Sequence, residues 1–244
     1  MSDKPYYFAY ENRYRKVYQA GIECWGHTPD DEILCATLKS WVEKNKLRGK
    51  RIIEFACGEG ASGVILSQLG CIYKGVDISP SAVGKAKAAV KPFPGASVSL
   101  LDMVNDKVEG EYDAALDSMG YHMLVLDCDR KKYLQNAFDC LSAAAPMLFF
   151  RQSFRQNAPD EETTSFEQWK AITGDDYDTP QVRIPCQNGA EMQVSLPLVP
   201  ARARNRQGYK KEMREVGFVV DEIIDMNMSL QIPYSVSIYV HKSK

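Results

Sequence analysis

The strongest constraint on the fold is a strand pattern, a glycine-rich turn and a helical pattern that follow one another without interruption. Residues 51–56 are Arg-Ile-Ile-Glu-Phe-Ala, which predicts a buried strand. Gly58, Gly60 and Gly63 come next and open a short helix that ends at Gly70. Glycines let a backbone turn tightly and approach a ligand closely. A unit of this kind is typical of a parallel sheet covered by helices.

The same plan continues along the middle of the chain. The predicted strands are 51–56, 71–77, 96–101, 112–117 and 146–152, and the predicted helices between them are 64–69, 79–90 and 129–144. This alternation predicts an α/β fold whose sheet is largely parallel. A helix at 209–216 then precedes two strands, 218–224 and 234–241. A short loop connects these two strands, so one of them must run antiparallel.

The two segments outside this alternation have patterns of their own. In the first segment, Thr28 and Pro29 predict a helix start before an apolar stripe that ends near Leu47. In the second, Asn188-Gly189 separates two strand patterns, which is a strong hairpin signal. We expect a single domain over residues 1–244, divided into a helical N-terminal cap (1–48), a core (49–152 and 207–244) and a hairpin-containing insertion (153–206).

Composition places the chain among ordinary globular proteins, with 244 residues of which 45% are hydrophobic and 25% charged. Its 30 Lys and Arg against 32 Asp and Glu give a net charge of -2. This balance argues against nucleic acid as a partner, because phosphate binding usually requires a basic face. No apolar run is long enough to span a bilayer, and the N-terminus lacks the apolar core of a signal peptide. We therefore expect a cytoplasmic protein without a membrane partner.

Cysteine and histidine usage predicts neither a disulfide nor a structural metal. The 7 cysteines form no Cys-x-x-Cys pair, and the 3 histidines are scattered along the chain. Zinc sites require clustered ligands of these types. We expect reduced thiols packed in a cytosolic core.

The first residue with a chemical role is Asp77, at the end of the second predicted strand. A carboxylate there can accept both hydroxyls of a ribose, and nucleotide-type ligands bind at this edge of an α/β sheet. Gly58, Gly60 and Gly63 also satisfy the fingerprint of nicotinamide-dinucleotide enzymes, so an NAD(P)-dependent oxidoreductase stays open. The glycines could instead serve only the turn and its packing.

Two further acidic residues favour another cofactor. Glu54, in the first strand beside the loop, would crowd a pyrophosphate but suits a ligand that carries an ammonium and a sulfonium. Asp102 closes the third strand, where an acid can accept a hydrogen bond from an adenine amino group. Both features favour S-adenosylmethionine over a dinucleotide.

With these motifs the chain resembles the class I S-adenosylmethionine-dependent methyltransferases, over roughly residues 49–152 and 207–241. The motifs that carry the resemblance are Glu54-x-x-x-Gly58-x-Gly60, Gly75-Val-Asp77-Ile-Ser, Asp102, and Tyr112-Asp113 leading to Asp117. The resemblance implies a Rossmann-like sheet of seven strands in the order 3-2-1-4-5-7-6, with the last strand antiparallel. It also implies S-adenosyl-L-methionine as methyl donor and S-adenosyl-L-homocysteine as product. Ala56 stands where the family usually has glycine, and we expect the loop to tolerate this mildest of replacements.

The resemblance also implies which core residues surround the cofactor. They are Glu54, Ala56, Cys57, Gly58, Gly60, Asp77, Ile78, Asp102, Met103, Asp117 and Ser118.

The cap adds Tyr14 and Trp25 to this set. Tyr10, Tyr14 and Tyr18 recur every four residues, so they share one helical face. These rings could close over the sulfonium, or they could simply pack against the sheet. The Tyr-Arg-Lys-Val-Tyr stretch at 14–18, together with Trp25, also resembles thiopurine- and tellurite-type methyltransferases.

The fourth strand carries information about the methyl acceptor. It ends in Asp117-Ser-Met-Gly, unlike the Asn/Asp-Pro-Pro-Tyr/Phe sequence of enzymes that methylate amino groups of nucleic acids. No Pro-Cys pair is present at that point either, which argues against a cysteine nucleophile that attacks cytosine. We expect a small-molecule acceptor, methylated at O, N or S. A non-catalytic nucleotide-binding module is the remaining alternative.

Tyr121 and His122 are the candidate catalytic residues, because they follow the fourth strand where the methyl group should lie. His122 could remove a proton from an acceptor hydroxyl or amine, or it could be a histidine hydrogen-bonded beneath the cap. A set of five arginines could bind an acidic acceptor or form a solvated surface. These arginines are Arg151, Arg155, Arg202, Arg204 and Arg206.

Overall fold

A computed structural model describes residues 4–183, 186–187, 190–191, 193–226 and 234–244. The helices are α1 (Ala9–Gln19), α2 (Glu32–Lys44), α3 (Ala61–Gln68), α4 (Pro80–Val90), α5 (Asp127–Asp139), α6 (Phe166–Thr173) and α7 (Arg206–Val216). The strands are β1 (Arg51–Phe55), β2 (Ile72–Asp77), β3 (Ala96–Leu100), β4 (Ala114–Ser118), β5 (Pro146–Ser153), β6 (Gln181–Arg183), β7 (Cys186–Gln187), β8 (Ala190–Glu191), β9 (Val194–Leu196), β10 (Phe218–Met226) and β11 (Ser235–Lys242).

Seven of these strands form one sheet in the order β3-β2-β1-β4-β5-β11-β10. Counted within the sheet, this is the predicted order 3-2-1-4-5-7-6. β1 to β5 pair in parallel, whereas β11 is antiparallel to both of its neighbours. The predicted α/β class and the antiparallel last strand are therefore confirmed.

Both faces of the sheet are buried along its central strands, which explains why these strands are almost continuously apolar. Side chains of β1 alternate between the two faces: Ile53 and Phe55 pack on the side of α5 and α7, and Ile52 packs on the side of α2 to α4. The carboxyl ends of the parallel strands consequently share one edge, where polar side chains can collect.

Several local expectations are corrected. Asp31, and not Thr28, caps α2: its carboxylate accepts the backbone N–H groups of Ile33 and Leu34. Thr28 instead closes a turn with the N–H of Asp31. The sequence also gave no signal for α6, a helix of 8 residues of which only Trp169 is buried.

The cap and the insertion lie outside the sheet. In the insertion, β6 pairs with β9 and β7 pairs with β8, both antiparallel. The Asn188-Gly189 turn itself lies outside the described residues. Within the part of the chain that the structure describes, no helix has the length and apolar character required to cross a bilayer.

A buried network of charges fastens the insertion to the core. Glu212 of α7 accepts hydrogen bonds from Arg130 of α5 and from Arg204 of the insertion, each at 2.7 Å. Arg202 binds the carbonyl of Val125 and the carboxylate of Asp127. Three of the five candidate arginines, Arg151, Arg202 and Arg204, are buried in ion pairs. Arg206 forms an ion pair with Asp225 at the surface, and Arg155 is exposed.

Candidate active site

The glycine-rich loop leaves β1 in a left-handed conformation and enters α3. Ala56, Gly58 and Gly60 have φ values of 52°, 51° and 86°. An L-residue in this region costs roughly 1–2 kcal/mol, and Ala56 bears this cost where a glycine would not. A Cβ atom added to Gly120 would lie only 2.4 Å from the Ala56 Cβ. The loop therefore packs closely against the turn that follows β4.

Asp77 fixes the shape of this loop. One carboxylate oxygen accepts the N–H of Gly58 at 2.8 Å, and the other accepts the N–H of Ser79 at 2.8 Å. Desolvation by burial raises the pKa of Asp77 to about 6, although these N–H donors oppose the rise. The carboxylate thus lies between the glycine turn and the start of α4, as the sequence predicts.

The N-terminal helix lies directly over this loop. The Tyr14 hydroxyl is 3.0 Å from the position that a Cβ atom on Gly58 would occupy. Burial raises the Tyr14 pKa, and the nearby Asp77 charge raises it further. Glu11, one turn earlier, accepts the hydroxyls of Ser79 and Ser81 at 2.6 and 2.8 Å. Sequence reasoning missed Glu11, because nothing in its local pattern indicates partners so far along the chain.

Glu59, inside the glycine loop, is a second residue that the sequence did not single out. Its carboxylate accepts the Tyr18 hydroxyl at 2.8 Å, the Cys24 thiol at 3.1 Å and the backbone N–H groups of Trp25 and Gly26 at 2.9 and 2.8 Å. All four donors come from the cap. Glu59 thereby brings the Trp25 segment onto the loop.

Glu54 lies on the same face of the sheet as Ile52 and Tyr73, where it is 1% exposed. The Tyr73 hydroxyl donates to its carboxylate at 2.5 Å, and Ser62 is a further partner. Burial raises the pKa of Glu54 to about 8. Burial raises the pKa of the neighbouring Cys57 thiol as well. These contacts enclose Glu54 between the sheet and the helices, and the charges of Asp117 and Asp77 are close enough to raise its pKa further.

The third strand ends in the pair Asp102 and Met103. Both oxygens of Asp102 lie 3.1 Å from the Tyr7 hydroxyl of the cap, and Asn105 donates to the same carboxylate at 2.9 Å. Met103 is buried in the same apolar cluster as Tyr7, and Ile78 packs against that cluster. The acid and the apolar surface expected near an adenine therefore lie together, under the first turn of the cap.

At the end of β4, Asp117 is fully buried and accepts the Gly120 N–H at 3.0 Å, the Gln152 amide at 2.6 Å and the Tyr133 hydroxyl. Burial raises the Asp117 pKa to about 6. The hydroxyl of the next residue, Ser118, is buried without a hydrogen-bond partner in the described structure. A buried hydroxyl of this kind costs free energy unless a ligand or water satisfies it.

The two candidate catalytic residues are both buried. Tyr121 donates its hydroxyl to Glu212 at 2.9 Å, and the Arg130 guanidinium lies 4.0 Å from the centre of its ring. His122 places Nδ1 3.2 Å from the amide oxygen of Gln152. Desolvation lowers the pKa of His122 to about 4, so its imidazole is neutral at pH 7.

No protein-family model matches the sequence. Solved structures do match. A methyltransferase from Streptomyces caelestis is 13% identical, with a TM-score of 0.66 over 96% of this chain and 99% of that chain. An S-adenosylmethionine-dependent methyltransferase from Clostridium acetobutylicum is 12% identical, with a TM-score of 0.64 over 98% and 99% of the two chains. Magnesium protoporphyrin IX methyltransferase from Synechocystis, solved with bound S-adenosylhomocysteine, is 16% identical, with a TM-score of 0.62 over 97% of both.

These matches cover nearly the whole of each chain, including the cap and the insertion. They show that the protein has the fold of S-adenosylmethionine-dependent methyltransferases.

Proposed function

We propose that this protein is a class I methyltransferase that uses S-adenosyl-L-methionine and releases S-adenosyl-L-homocysteine. The observation that carries the proposal is the convergence of the left-handed glycine loop, the Asp77 carboxylate and the Tyr14 hydroxyl at the carboxyl edge of the sheet. The fold shared with methyltransferases supports the same conclusion.

The residues present fit this cofactor. Ser118 supplies a buried hydroxyl that lacks a partner in the described structure, next to the loop that would hold the methionine part. The close approach of Tyr14 to Gly58 supports a cradle formed by the loop backbone and the cap. When bound, the cofactor supplies a sulfonium methyl group open to direct displacement by a nucleophile.

Each part of the ligand is assigned to a set of residues. Asp77 would accept the ribose hydroxyls, while Asp102, Met103 and Ile78 would flank the adenine. The loop and the end of β4 would surround the methionine part, and Tyr14 and Trp25 would cover it. The residues of the loop and strand end are Glu54, Ala56, Cys57, Gly58, Gly60, Asp117 and Ser118.

The acceptor would be a small molecule methylated at O, N or S, bound between the cap and the insertion (153–206). Two hydrogen bonds join these segments: Tyr10 donates to the Pro200 carbonyl at 2.8 Å, and Arg13 donates to the Pro197 carbonyl at 2.7 Å. Such an enclosure excludes water and aligns donor with acceptor, which is where most of the rate of a direct displacement arises. The single-domain division into cap, core and insertion is part of this proposal.

We assign proton acceptance to His122 and a supporting part to Tyr121. The hydroxyl of Tyr121 donates to Glu212, so Tyr121 would support the site through its ring and backbone. The near-neutral charge of the chain supports an acceptor other than nucleic acid. A cytoplasmic location and the absence of a membrane partner are part of the same proposal.

A binding experiment tests the cofactor assignment. We expect S-adenosylhomocysteine at 100 times its dissociation constant to stabilise the protein by about 2.7 kcal/mol, with no effect of NAD or NADP. The dinucleotides belong in the test because the Glu54 carboxylate is enclosed by Tyr73 and Ser62 and therefore does not itself exclude a pyrophosphate. Stabilisation by NAD or NADP alone would favour an oxidoreductase.

Asp77→Asn should weaken S-adenosylhomocysteine binding roughly ten- to a hundred-fold, because charge-assisted hydrogen bonds to the ribose are lost. Isothermal titration calorimetry gives the affinity, and chemical unfolding of the free protein reports any loosening of the glycine loop. Asp221→Asn is the matched control, since Asp221 is exposed on β10. Equal affinities for Asp77→Asn and wild type would remove Asp77 from the site.

A further inference from the structure

The side-chain amide of Gln152 is oriented by backbone groups that allow only one arrangement. Its nitrogen lies 3.0 Å from the Phe150 carbonyl, which can only accept a hydrogen bond. Its oxygen lies 3.0 Å from the His122 backbone N–H, which can only donate. The Asp117 carboxylate, 2.6 Å from the amide nitrogen, requires the same orientation. The amide is fully buried, so no solvent competes for these contacts.

This orientation determines the state of the neighbouring imidazole. The Gln152 oxygen also lies 3.2 Å from Nδ1 of His122, and a carbonyl oxygen offers lone pairs only. Nδ1 must therefore carry the hydrogen. In a neutral ring the lone pair then resides on Nε2, the nitrogen that faces away from Gln152.

The surrounding charges favour the neutral ring. Burial lowers the pKa of His122 most, the hydrogen bond to Gln152 opposes this, and Arg130 of α5 lowers the pKa further. Arg130 itself is paired with Glu212 of α7, and Asp117 of β4 is separated from the ring by Gln152. On the insertion side, Arg202 donates its backbone N–H to the His122 carbonyl, while its guanidinium binds Asp127.

We propose that Gln152 is a positioning residue, which holds His122 in the Nδ1–H tautomer so that Nε2 accepts a hydrogen bond from the methyl acceptor. The proposal rests on the proposed function and narrows it. The acceptor class is one whose nucleophile bears a hydrogen, namely a hydroxyl, an amine or a thiol. A carboxylate acceptor has no hydrogen to donate, so its oxygen lone pairs would face the lone pair of Nε2, which disfavours this class of acceptor.

The chemical step balances. The acceptor oxygen, nitrogen or sulfur forms a bond to the methyl carbon as the bond from that carbon to the sulfonium sulfur breaks, and the sulfur keeps the electron pair. The hydrogen of the acceptor passes to Nε2 as a proton. The imidazolium then releases a proton to solvent, which restores the neutral ring.

The tautomer can be measured without any acceptor. Long-range ¹H–¹⁵N correlation spectra of the imidazole nitrogens distinguish Nδ1–H from Nε2–H, and loss of one set of signals in His122→Gln assigns the ring. We expect Nδ1–H in the wild type at pH 7. The near-isosteric Gln152→Met removes the oriented acceptor and should allow the Nε2–H tautomer that free imidazole prefers. Gln135→Met, which removes only a hydrogen bond to Asp139 within α5, should not change the tautomer.

The kinetic prediction uses the same variants with a hydroxyl, amine or thiol acceptor found by a labelled methyl-transfer screen. Gln152→Met should lower kcat by roughly tenfold, and His122→Gln by roughly a hundredfold or more. Gln152 also donates to Asp117, so kcat is measured at saturating S-adenosylmethionine, which separates turnover from cofactor affinity. The double variant should lose no more kcat than His122→Gln alone, because the effect of Gln152 on turnover passes through His122.

The outcomes separate the inference from the proposed function. An Nε2–H tautomer in the wild type overturns the positioning role of Gln152 even when S-adenosylhomocysteine binds well. Additive losses in the double variant, or turnover of a carboxylate acceptor that does not depend on His122, overturn it also. Absence of S-adenosylhomocysteine binding overturns the proposed function and leaves the tautomer measurement standing. If Gln152→Met fails to fold, the wild-type spectrum alone decides the tautomer.

Discussion

The carboxyl group of Glu54 is the clearest case of a residue whose surroundings change its chemistry. Its folded pKa of about 8 lies well above its usual value of 4.5, because burial penalises the charged form. Between these two pH values the folded protein keeps a proton that the unfolded chain has released. Stability therefore falls as pH rises through this range.

Other buried groups act at lower pH. Asp77 and Asp117, with pKa values raised to about 6, also reduce stability as pH rises from about 4 to 6. His122 acts in the opposite direction, since its pKa is lowered to about 4 from 6.5 and its stabilising effect is lost on acidification. Above pH 6.5, Glu54 is the group among these four that still titrates.

The free energy of unfolding of wild type falls between pH 6.5 and pH 8, and Glu54→Gln should reduce this fall by roughly 1–2 kcal/mol. Urea unfolding at three pH values in this range measures the slope. Glu109→Gln, on an exposed carboxyl group, should keep the wild-type slope. Identical slopes for Glu54→Gln and wild type would contradict the assignment of the proton to Glu54.

The turn of the glycine loop could be predicted from sequence because its conformation depends on neighbouring residues only. The spacing of Gly58 and Gly60 predicts a tight turn after β1, and the strand pattern places Asp77 at the end of β2. The environment of Glu54 could not be predicted. Its partner Tyr73 becomes a neighbour only once β1 and β2 pair in the observed register, in which Glu54 lies opposite Gly75.

At the scale of elements, the cap is attached to the glycine loop through Glu59. A carboxylate can accept four hydrogen bonds at once, whereas the amide of glutamine offers one acceptor oxygen and repels donors with its own N–H₂ group. Glu59→Gln should therefore lower the free energy of local opening of residues 18–26 by roughly 1–3 kcal/mol.

Hydrogen exchange followed by mass spectrometry tests this attachment. Peptides that cover residues 18–26 should exchange faster in Glu59→Gln, while those of the central strands should not change. Glu43→Gln, on an exposed site of α2, serves as control. Unchanged exchange in the 18–26 peptides would show that other contacts hold the cap.

The direction of Gln152 shows why element patterns alone did not identify the residues around His122. A regular strand would place Gln152 on the same face as Phe150. Arg151 instead adopts φ 54°, and the register between β5 and β11 shifts beside it. Because of this bulge, Gln152 points toward Asp117. Arg151 points to the opposite face of the sheet, where it contacts Asp31 and His27. No feature of the local sequence signals a bulge at this arginine.

At the scale of the whole molecule, Glu212 connects α5, α7 and the insertion. Arg130 and Arg204 hold its pKa at about 2, below its usual 4.5, so the stability that it contributes is present above pH 4.5 and is lost toward pH 2. Glu212→Gln leaves the buried guanidinium of Arg130 without a counter-charge among the described residues, whereas Arg204 keeps Asp127 and Asp160 as partners. We expect a loss of about 3–5 kcal/mol in the free energy of unfolding at pH 7.

Urea unfolding at neutral pH measures this loss, with the exposed Glu215→Gln of the same helix as control. A loss below 1 kcal/mol would mean that water or nearby carboxylates replace Glu212.

The order of the sheet strands could be predicted because the alternation of strands and helices and the family motifs together determine it. This network could not, because its members lie in three separate segments of the sequence and only the finished fold brings them together.

The position of β11 has a consequence for the time course of folding. In the sheet, β10 touches β11 and no other strand, and β11 separates β10 from β5. During synthesis, residues 218–226 emerge before the strand that will join them to the sheet exists. The edge of β5 likewise stays bare until residues 235–242 are made. Pairing across such a long stretch of chain is slow and leaves strand edges open to other chains in the meantime. β11 thus leaves the ribosome after the six other strands of this sheet and closes it, and aggregation competes with folding until it arrives.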